Sequence, residues 1–145
     1  MPIPLNPNYQ AVIREIFSEA GFISELGIQL RNLGPGWCET EMLVTPRHLQ
    51  QNGFIHAGVQ ATMADHTAGA AAATLMAAGQ VVLTVEFKIN LLRPAIGERL
   101  RCRAEVVKPG KRISFVEAAV TALNEAETKL VSTLVATMTF VPDQT

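Results

Sequence analysis

Residues Gln50 to Asp65 read QQNGFIHAGVQATMAD, a polar, glycine-containing loop that runs directly into a helix with almost no charge. Asp65 is the only carboxylate of the helix predicted over residues 59–78. An ionised carboxylate is costly to bury unless it is paired or hydrogen-bonded. Asp65 is therefore either a structural group bonded to a loop backbone or a catalytic group, since active sites tolerate such costs.

The predicted helix is built mostly from alanine, and its apolar residues occur all round its circumference. This pattern is typical of a buried helix, and small side chains allow a sheet to approach closely. Gly79 is predicted to end the helix. Twenty residues could span a membrane, but Asp65, His66 and Gln60 argue against that interpretation.

Composition limits the classes of protein to consider. The chain has 145 residues, 48% of them apolar, which predicts one domain over residues 1–145 with a substantial core. The net charge of -1 gives no reason to expect a nucleic-acid or membrane partner. Cys38 and Cys102 have no metal or redox spacing, so buried thiols are predicted and no metal or cofactor is expected. The N-terminus lacks a secretory signal pattern, and a cytoplasmic location is expected.

The first half of the chain combines helical periodicity with two short strand-like runs. Asn6-Pro7 has the pattern of an N-cap followed by proline at the first helical position. The predicted elements are a helix from Asn6-Pro7 to Gly21, a further turn over residues 22–26, and strands over residues 27–33 and 37–45 joined by a turn at residues 34–36.

After Gly79 the apolar residues occupy every second position, which is typical of half-buried antiparallel strands. The apolar positions of the first strand are Leu83, Val85, Phe87, Ile89 and Leu91. Further strands are predicted over residues 99–106, 112–123 and 129–140. A charge-poor helix beside a long antiparallel sheet favours an α+β fold in which the sheet wraps around the helix.

Two segments in this order resemble a known family. Residues 53–58 read GFIHAG, and Asp65 follows His56 by nine residues, which resembles the His-Gly-Gly…Asp signature of acyl-CoA thioesterases of the phenylacetate-pathway type. Residues 89–94, INLLRP, resemble that family's strand ending in a proline turn. The resemblance implies a hotdog fold, a long antiparallel sheet around a central helix. It also implies a homodimer or dimer of dimers, with residues 81–91 as the pairing edge.

The resemblance also assigns roles to individual residues. Asp65 corresponds to the family's general base or nucleophile. Ala57 stands at the backbone oxyanion donor, where most relatives have glycine, and it keeps the required N–H provided that its φ is negative. The resemblance further implies that His56 orients the loop and the thioester carbonyl, that Gln50 supplies a loop amide with Asn52 as competitor, and that Thr84 helps to hold water.

The acyl-CoA substrate is implied by the same resemblance. The residues that would line the acyl or coenzyme A site are Asn52, Gly58, Val85, Phe87, Arg93, Lys111 and Arg112. For Lys111 and Arg112 a plain solvent-exposed turn is an equal alternative. Helix geometry puts Ala57 and Asp65 about two turns, roughly 10 Å, apart, so one chain would not complete a site alone.

Simpler interpretations remain open at several positions. His56 could cap the helix without contacting substrate, and His66, about 100° round the helix from Asp65, is predicted to be structural. Two other functions also remain. One is an acyl-CoA sensor without hydrolysis. The other is a hotdog dehydratase, although its loop is typically rich in proline and residues 50–58 contain none.

Overall fold

The computed structural model describes residues 2–145, with the helices and two short strands before residue 74 and four longer strands after it. The helices are α1 (Tyr9–Glu19), α2 (Gly21–Leu26) and α3 (Ala57–Ala73), with a 3-10 turn at Pro46–His48. The strands are β1 (Gln29–Gly34), β2 (Trp37–Leu43), β3 (Gln80–Leu91), β4 (Arg99–Lys108), β5 (Ile113–Leu123) and β6 (Thr128–Pro142).

The six strands form one antiparallel sheet in the order β1-β2-β4-β5-β6-β3. Helix α3 packs against five of these strands, β2 to β6. Met63, Ala64 and Ala68 of α3 are completely buried between the helix and the sheet. The predicted α+β architecture, a sheet wrapped around a buried helix, is thus confirmed.

Several helices and strands begin or end at residues other than those predicted. Helix α1 begins at Tyr9 with Asn8 as N-cap, because the Asn6 side chain accepts the Asn8 N–H and forms a turn instead. The two predicted strands of the first half lie at Gln29–Gly34 and Trp37–Leu43, within two residues of their predicted ends.

Helix α3 begins at Ala57 and ends at Ala73, five residues before its predicted end. The Thr74 hydroxyl donates to Ala71 O at 2.7 Å and accepts the Gly36 N–H at 2.8 Å. This side chain ties the helix end to the β1–β2 turn, and Gly79, at φ 79°, belongs to the turn before β3.

A bulge in β3 overturns the prediction that its five apolar residues share one face. The β3–β6 register shifts between Thr84 and Glu86, which places Thr84 opposite the buried Met138 and Phe87 opposite the buried Ala136. Side chains on both sides of the bulge therefore face α3, but they follow different alternations. Leu83 pairs with Thr139 and lies on the opposite face.

Strand β3 is an edge of the sheet and is strongly apolar. Leu83, Val85 and Leu91 are 52%, 57% and 50% exposed. Unpaired edges with apolar side chains invite pairing with another chain, and proteins usually protect them. This edge is therefore the part of the described surface that most needs a cover.

Two further findings concern predicted properties. Cys38 and Cys102 are free and buried, as predicted, and burial raises the pKa of both thiols to about 12. Among the described residues, no helix is both long and apolar enough to cross a membrane.

Replacing the buried Ala68 with leucine tests the close approach of α3 to the sheet. We expect Ala68→Leu to lower the free energy of unfolding by about 1–3 kcal/mol, because extra methylenes must displace packed neighbours. Denaturant unfolding measures this. Ala78→Leu, the same change at an exposed position, is the control. Equal stability of the two variants would contradict the packing.

Candidate active site

Asp65 lies on α3 and is partly buried. Its Oδ1 accepts a hydrogen bond from the Thr84 hydroxyl at 2.8 Å. Burial raises the pKa of Asp65 above its ordinary value, and the Thr84 hydrogen bond offsets part of that rise. The carboxylate thus accepts a hydrogen bond from Thr84 in a partly buried position and retains capacity to accept a proton.

The β3 bulge explains why Thr84 reaches Asp65. Thr84 directly precedes the register shift and faces α3 on the same side as Met138. Its hydroxyl lies 3.4 Å from the Met138 sulfur as well as 2.8 Å from Asp65. The resemblance assigns Thr84 to holding water, which stays a prediction; in the structure its hydroxyl donates to Asp65.

Two clefts meet at Asp65. The large cleft, about 430 Å³, lies between α1, α3 and β3, and the small cleft, about 300 Å³, lies between α2, α3 and β3. Asp65 and His66 are the only described residues that line both clefts. Phe87 of β3 lines the small cleft, whereas Val85 lies at the bulge and lines neither cleft; substrate contact by either residue stays a prediction.

His66 forms part of the wall at this junction. Its ring packs edge-on against Phe17 with ring centroids 4.7 Å apart. Burial lowers the pKa of His66 to about 4, so the imidazole is neutral at neutral pH. Its Nε2 is buried and has no hydrogen-bond partner among the described residues. The residue predicted to be structural therefore also lines both clefts.

His56 is the N-cap of α3, and its Nδ1 accepts the Gly58 N–H at 2.8 Å. The helix-capping interpretation of His56 therefore holds in this structure. Gly58, predicted to contact substrate, has its N–H occupied by this bond. The Ala57 N–H has no acceptor among residues 2–145. No residue other than glycine has positive φ in the described chain, so Ala57 meets the requirement of a negative φ.

Gln50 and Asn52 belong to a tight turn before His56. The Gln50 side-chain oxygen accepts the Asn52 N–H, and Gly53 N donates to Gln50 O at 3.0 Å. Gly53 supports this turn with φ 86°, a conformation that favours glycine. The Gln50 amide oxygen is thus turned back into its own loop, while the Asn52 side chain is exposed.

The structure brings together only part of the predicted site. Asp65 and Thr84 are bonded, but Ala57 precedes Asp65 by eight residues, about 12 Å along the helix axis. Neither cleft at Asp65 is lined by His56, Ala57, Gln50 or Asn52. A single chain therefore places the carboxylate and the free backbone donor apart.

The three cationic residues predicted to contact the substrate, Arg93, Lys111 and Arg112, lie at two different places in the structure. Arg93 lies near the loop, because Ala95 O accepts the Ile55 N–H at 2.9 Å. Lys111 and Arg112 are at the other end of the sheet. Leu91 pairs with Ser132 and Ile113 with Thr139, positions about 23 Å apart along β6. These three cations therefore do not form one phosphate site within a chain.

Sequence reasoning missed His48. It is buried, its Nδ1 accepts the Thr45 N–H at 3.0 Å, and its carbonyl accepts the His56 N–H at 2.9 Å. It therefore anchors the residue that precedes Ala57. The residues Thr45-Pro46-Arg47-His48 form a capping box with proline at the first turn position. This pattern is the sequence signal that could have identified His48 as a structural anchor of the loop.

Comparisons with known proteins agree with this geometry. Residues 52–129 match the thioesterase superfamily. A thioesterase family protein from Silicibacter pomeroyi is 38% identical, with a TM-score of 0.91 over 93% of this chain and 99% of that protein. Human acyl-coenzyme A thioesterase 13 is 29% identical over 130 residues, which is 88% of this chain and 91% of that protein. The E. coli PaaI protein from the phenylacetic acid degradation operon, 19% identical with a TM-score of 0.81, covers 94% of this chain and 96% of its own and shares the fold. The chain belongs to the thioesterase superfamily, with the hotdog fold and the thioester hydrolase class that its loop and its Asp65 helix predicted.

Proposed function

We propose that this protein hydrolyses acyl-coenzyme A thioesters at Asp65, in a site completed by a second copy of the chain. The observation that carries the proposal is the Asp65–Thr84 hydrogen bond at the junction of two clefts. A carboxylate with a raised pKa, exposed to cleft space on two sides, is suited to accept a proton from a reacting group.

The proposed reaction follows from these groups. Asp65 accepts a proton from a water molecule as the water oxygen bonds to the thioester carbonyl carbon. The carbonyl oxygen becomes an oxyanion, which the free Ala57 N–H at the start of α3 stabilises. The intermediate then breaks its carbon–sulfur bond, and the leaving thiolate takes the proton from Asp65, which restores the carboxylate. Direct attack by Asp65, forming an anhydride that water opens, uses the same two groups.

The second copy resolves the separation of Asp65 from Ala57. Pairing of two β3 edges across a two-fold axis would cover Leu83, Val85 and Leu91, which are all at least half exposed. It would also bring the loop of one chain toward the helix of the other. A dimer is therefore proposed as the active unit, and a dimer of dimers is an extension of it.

Coenzyme A is proposed as the thiol part of the substrate. Arg93 is exposed and is linked to the catalytic loop through the Ala95–Ile55 hydrogen bond. A guanidinium there can contact a phosphate where the substrate leaves the site. Human acyl-coenzyme A thioesterase 13, a relative over most of this chain, carries this substrate class in its name.

Asp65→Asn tests the carboxylate. The amide keeps the shape of the side chain but accepts no proton, so we expect kcat to fall at least ~100-fold with normal folding. Turnover of acetyl-, medium-chain, long-chain and aryl-coenzyme A thioesters is the measurement, with Glu25→Gln as a surface control. A variant that hydrolyses its best thioester at the wild-type rate would make Asp65 structural.

Thr84→Val tests the hydrogen bond to Asp65. The hydroxyl stabilises the ionised carboxylate, so its loss should raise the pKa of Asp65 further. Since the ionised form is the base, the acid limb of the kcat/KM profile should move to higher pH. Thr84→Ser, which keeps the donor, should restore the wild-type limb. An unmoved limb in Thr84→Val would exclude this role.

Ala57→Pro tests the backbone donor. His56 has φ -58° and ψ 138°, which is compatible with a following proline, and the first helical position tolerates proline. Loss of one oxyanion donor should lower kcat by ~10²–10³. Ala57→Gly, which keeps the N–H, should remain within a few fold of wild type. A folded Ala57→Pro protein with full turnover would place the donor elsewhere.

The same two variants test the shared site. In a mixed dimer of Asp65→Asn and Ala57→Pro chains, one site carries both changes and the other carries neither. Random reassortment makes half of the dimers mixed, so mixing should restore about a quarter of wild-type activity. No recovery in a sample shown to contain mixed dimers would indicate that each site belongs to one chain.

A further inference from the structure

We infer that the large cleft is the acyl pocket and that Gly69 sets the length of the acyl chain it accepts. The inference rests on the proposed hydrolysis at Asp65, and it adds which half of the thioester lies on which side of that residue. Four observations carry it: the junction of the clefts, their position along α3, the character of their walls, and the space at Gly69.

The junction supplies the first argument. The large and small clefts share only Asp65 and His66 among the described residues. A thioester has two arms that extend in opposite directions from its carbonyl carbon. If that carbon lies at Asp65, one arm must occupy each cleft. The two clefts thus correspond to the acyl arm and the pantetheine arm.

Position along α3 distinguishes the two arms. The small cleft is lined by Ala61, Thr62, Asp65 and His66, and so extends toward the N-terminus of the helix. The large cleft is lined from Asp65 to Ala70 and extends toward the C-terminus. A helix N-terminus favours negative charge. The arm that carries the phosphates is therefore assigned to the small cleft.

The walls of the large cleft support the same orientation. Its apolar lining comes mainly from Val12, Ile16, Ala70, Met76, Val82 and Met138. Its ionisable groups besides Asp65 and His66 include Glu15, Glu19 and Asp143, and no described lining residue is Lys or Arg. These carboxylates would repel coenzyme A phosphates, while the apolar wall favours an uncharged hydrocarbon acyl group.

Gly69 is the residue that keeps this cleft open. It lies inside α3, where glycine costs stability relative to alanine. A Cβ built on Gly69 would meet only a methyl carbon of Val82, at 4.0 Å, which is ordinary contact distance. Packing therefore does not require glycine at this position. Gly69 lines the large cleft, so a side chain there would take up part of the cleft volume.

Helix geometry places this volume directly beyond the carboxylate. Gly69 follows Asp65 by one turn on the same face, and both residues line the large cleft. A side chain at this position would occupy the path of the acyl chain as it leaves the thioester carbon. Gly69 therefore acts as a specificity-determining position, and a larger residue shortens the pocket.

The test is a chain-length series on Gly69→Ala and Gly69→Leu. Turnover is measured with acyl-coenzyme A thioesters from acetyl to dodecanoyl, and affinity is measured with the matching S-alkyl-coenzyme A thioethers, which cannot be hydrolysed. We expect the optimum acyl chain length to be longest in wild type, shorter in Gly69→Ala and shortest in Gly69→Leu. Each methylene excluded from the pocket should cost about fourfold in affinity.

Two controls separate pocket length from other effects. Gly21→Ala fills open space at a glycine that lines neither cleft, and should leave the profile unchanged. Ala61→Leu narrows the small cleft, and should weaken all chain lengths by a similar factor without moving the optimum. The contrast between Ala61→Leu and Gly69→Leu identifies the arm in each cleft.

Each result decides one proposal. Absence of turnover by wild type, with thioether affinities that still shift with Gly69, would overturn hydrolysis and keep the pocket assignment. Wild-type hydrolysis with chain-length profiles unchanged in both Gly69 variants would overturn the pocket assignment alone. Gly69→Leu could stop turnover of even the acetyl thioester. In that case the affinity and turnover profiles of Gly69→Ala test the pocket assignment: a shorter optimum chain length supports it, and an unchanged profile overturns it.

Discussion

Close packing of an alanine-rich helix against a curved sheet is the constraint on which the rest of this structure depends. Ala64 and Ala68 of α3 are completely buried against the strands, and larger side chains there would push the helix away. The helix therefore lies where its few polar groups meet the sheet. Asp65 reaches Thr84 on β3 only because the intervening side chains are small and β3 is bulged at the adjacent position.

The proposed site lies where this packing is incomplete. Asp65 sits in a partly buried position that raises its pKa, which disfavours the ionised form while improving it as a base. Gly69 lowers helix stability and lines the large cleft, and the buried His66 Nε2 has no hydrogen-bond partner among the described residues. Each of these features opposes stability locally, and all three lie within five residues of α3.

The edge strand and the loop have related roles. β3 exposes apolar side chains that a folded monomer leaves uncovered, and the Ala57 N–H at the start of α3 has no acceptor among the described residues. The His48 carbonyl accepts the His56 N–H and the His56 ring accepts the Gly58 N–H, so the backbone on both sides of the proposed Ala57 donor is fixed by hydrogen bonds. The proposed association of two copies would account for both the incomplete site and the unprotected edge in the same chain.

The sequence by itself determined the α+β class, the buried helix, the alternating strands and the candidates Asp65 and His56, because periodicity and isolated polar residues are local signals. Ala57 and Thr84 became candidates only through the resemblance to a known family. The roles of these residues came from a resemblance between motifs. Only the tertiary structure decided that α3 ends at Ala73, that a bulge turns Thr84 toward Asp65, and that Arg93 lies far from Arg112. These features depend on contacts between residues distant in the chain, such as Thr74 with Gly36, and no local pattern encodes such contacts.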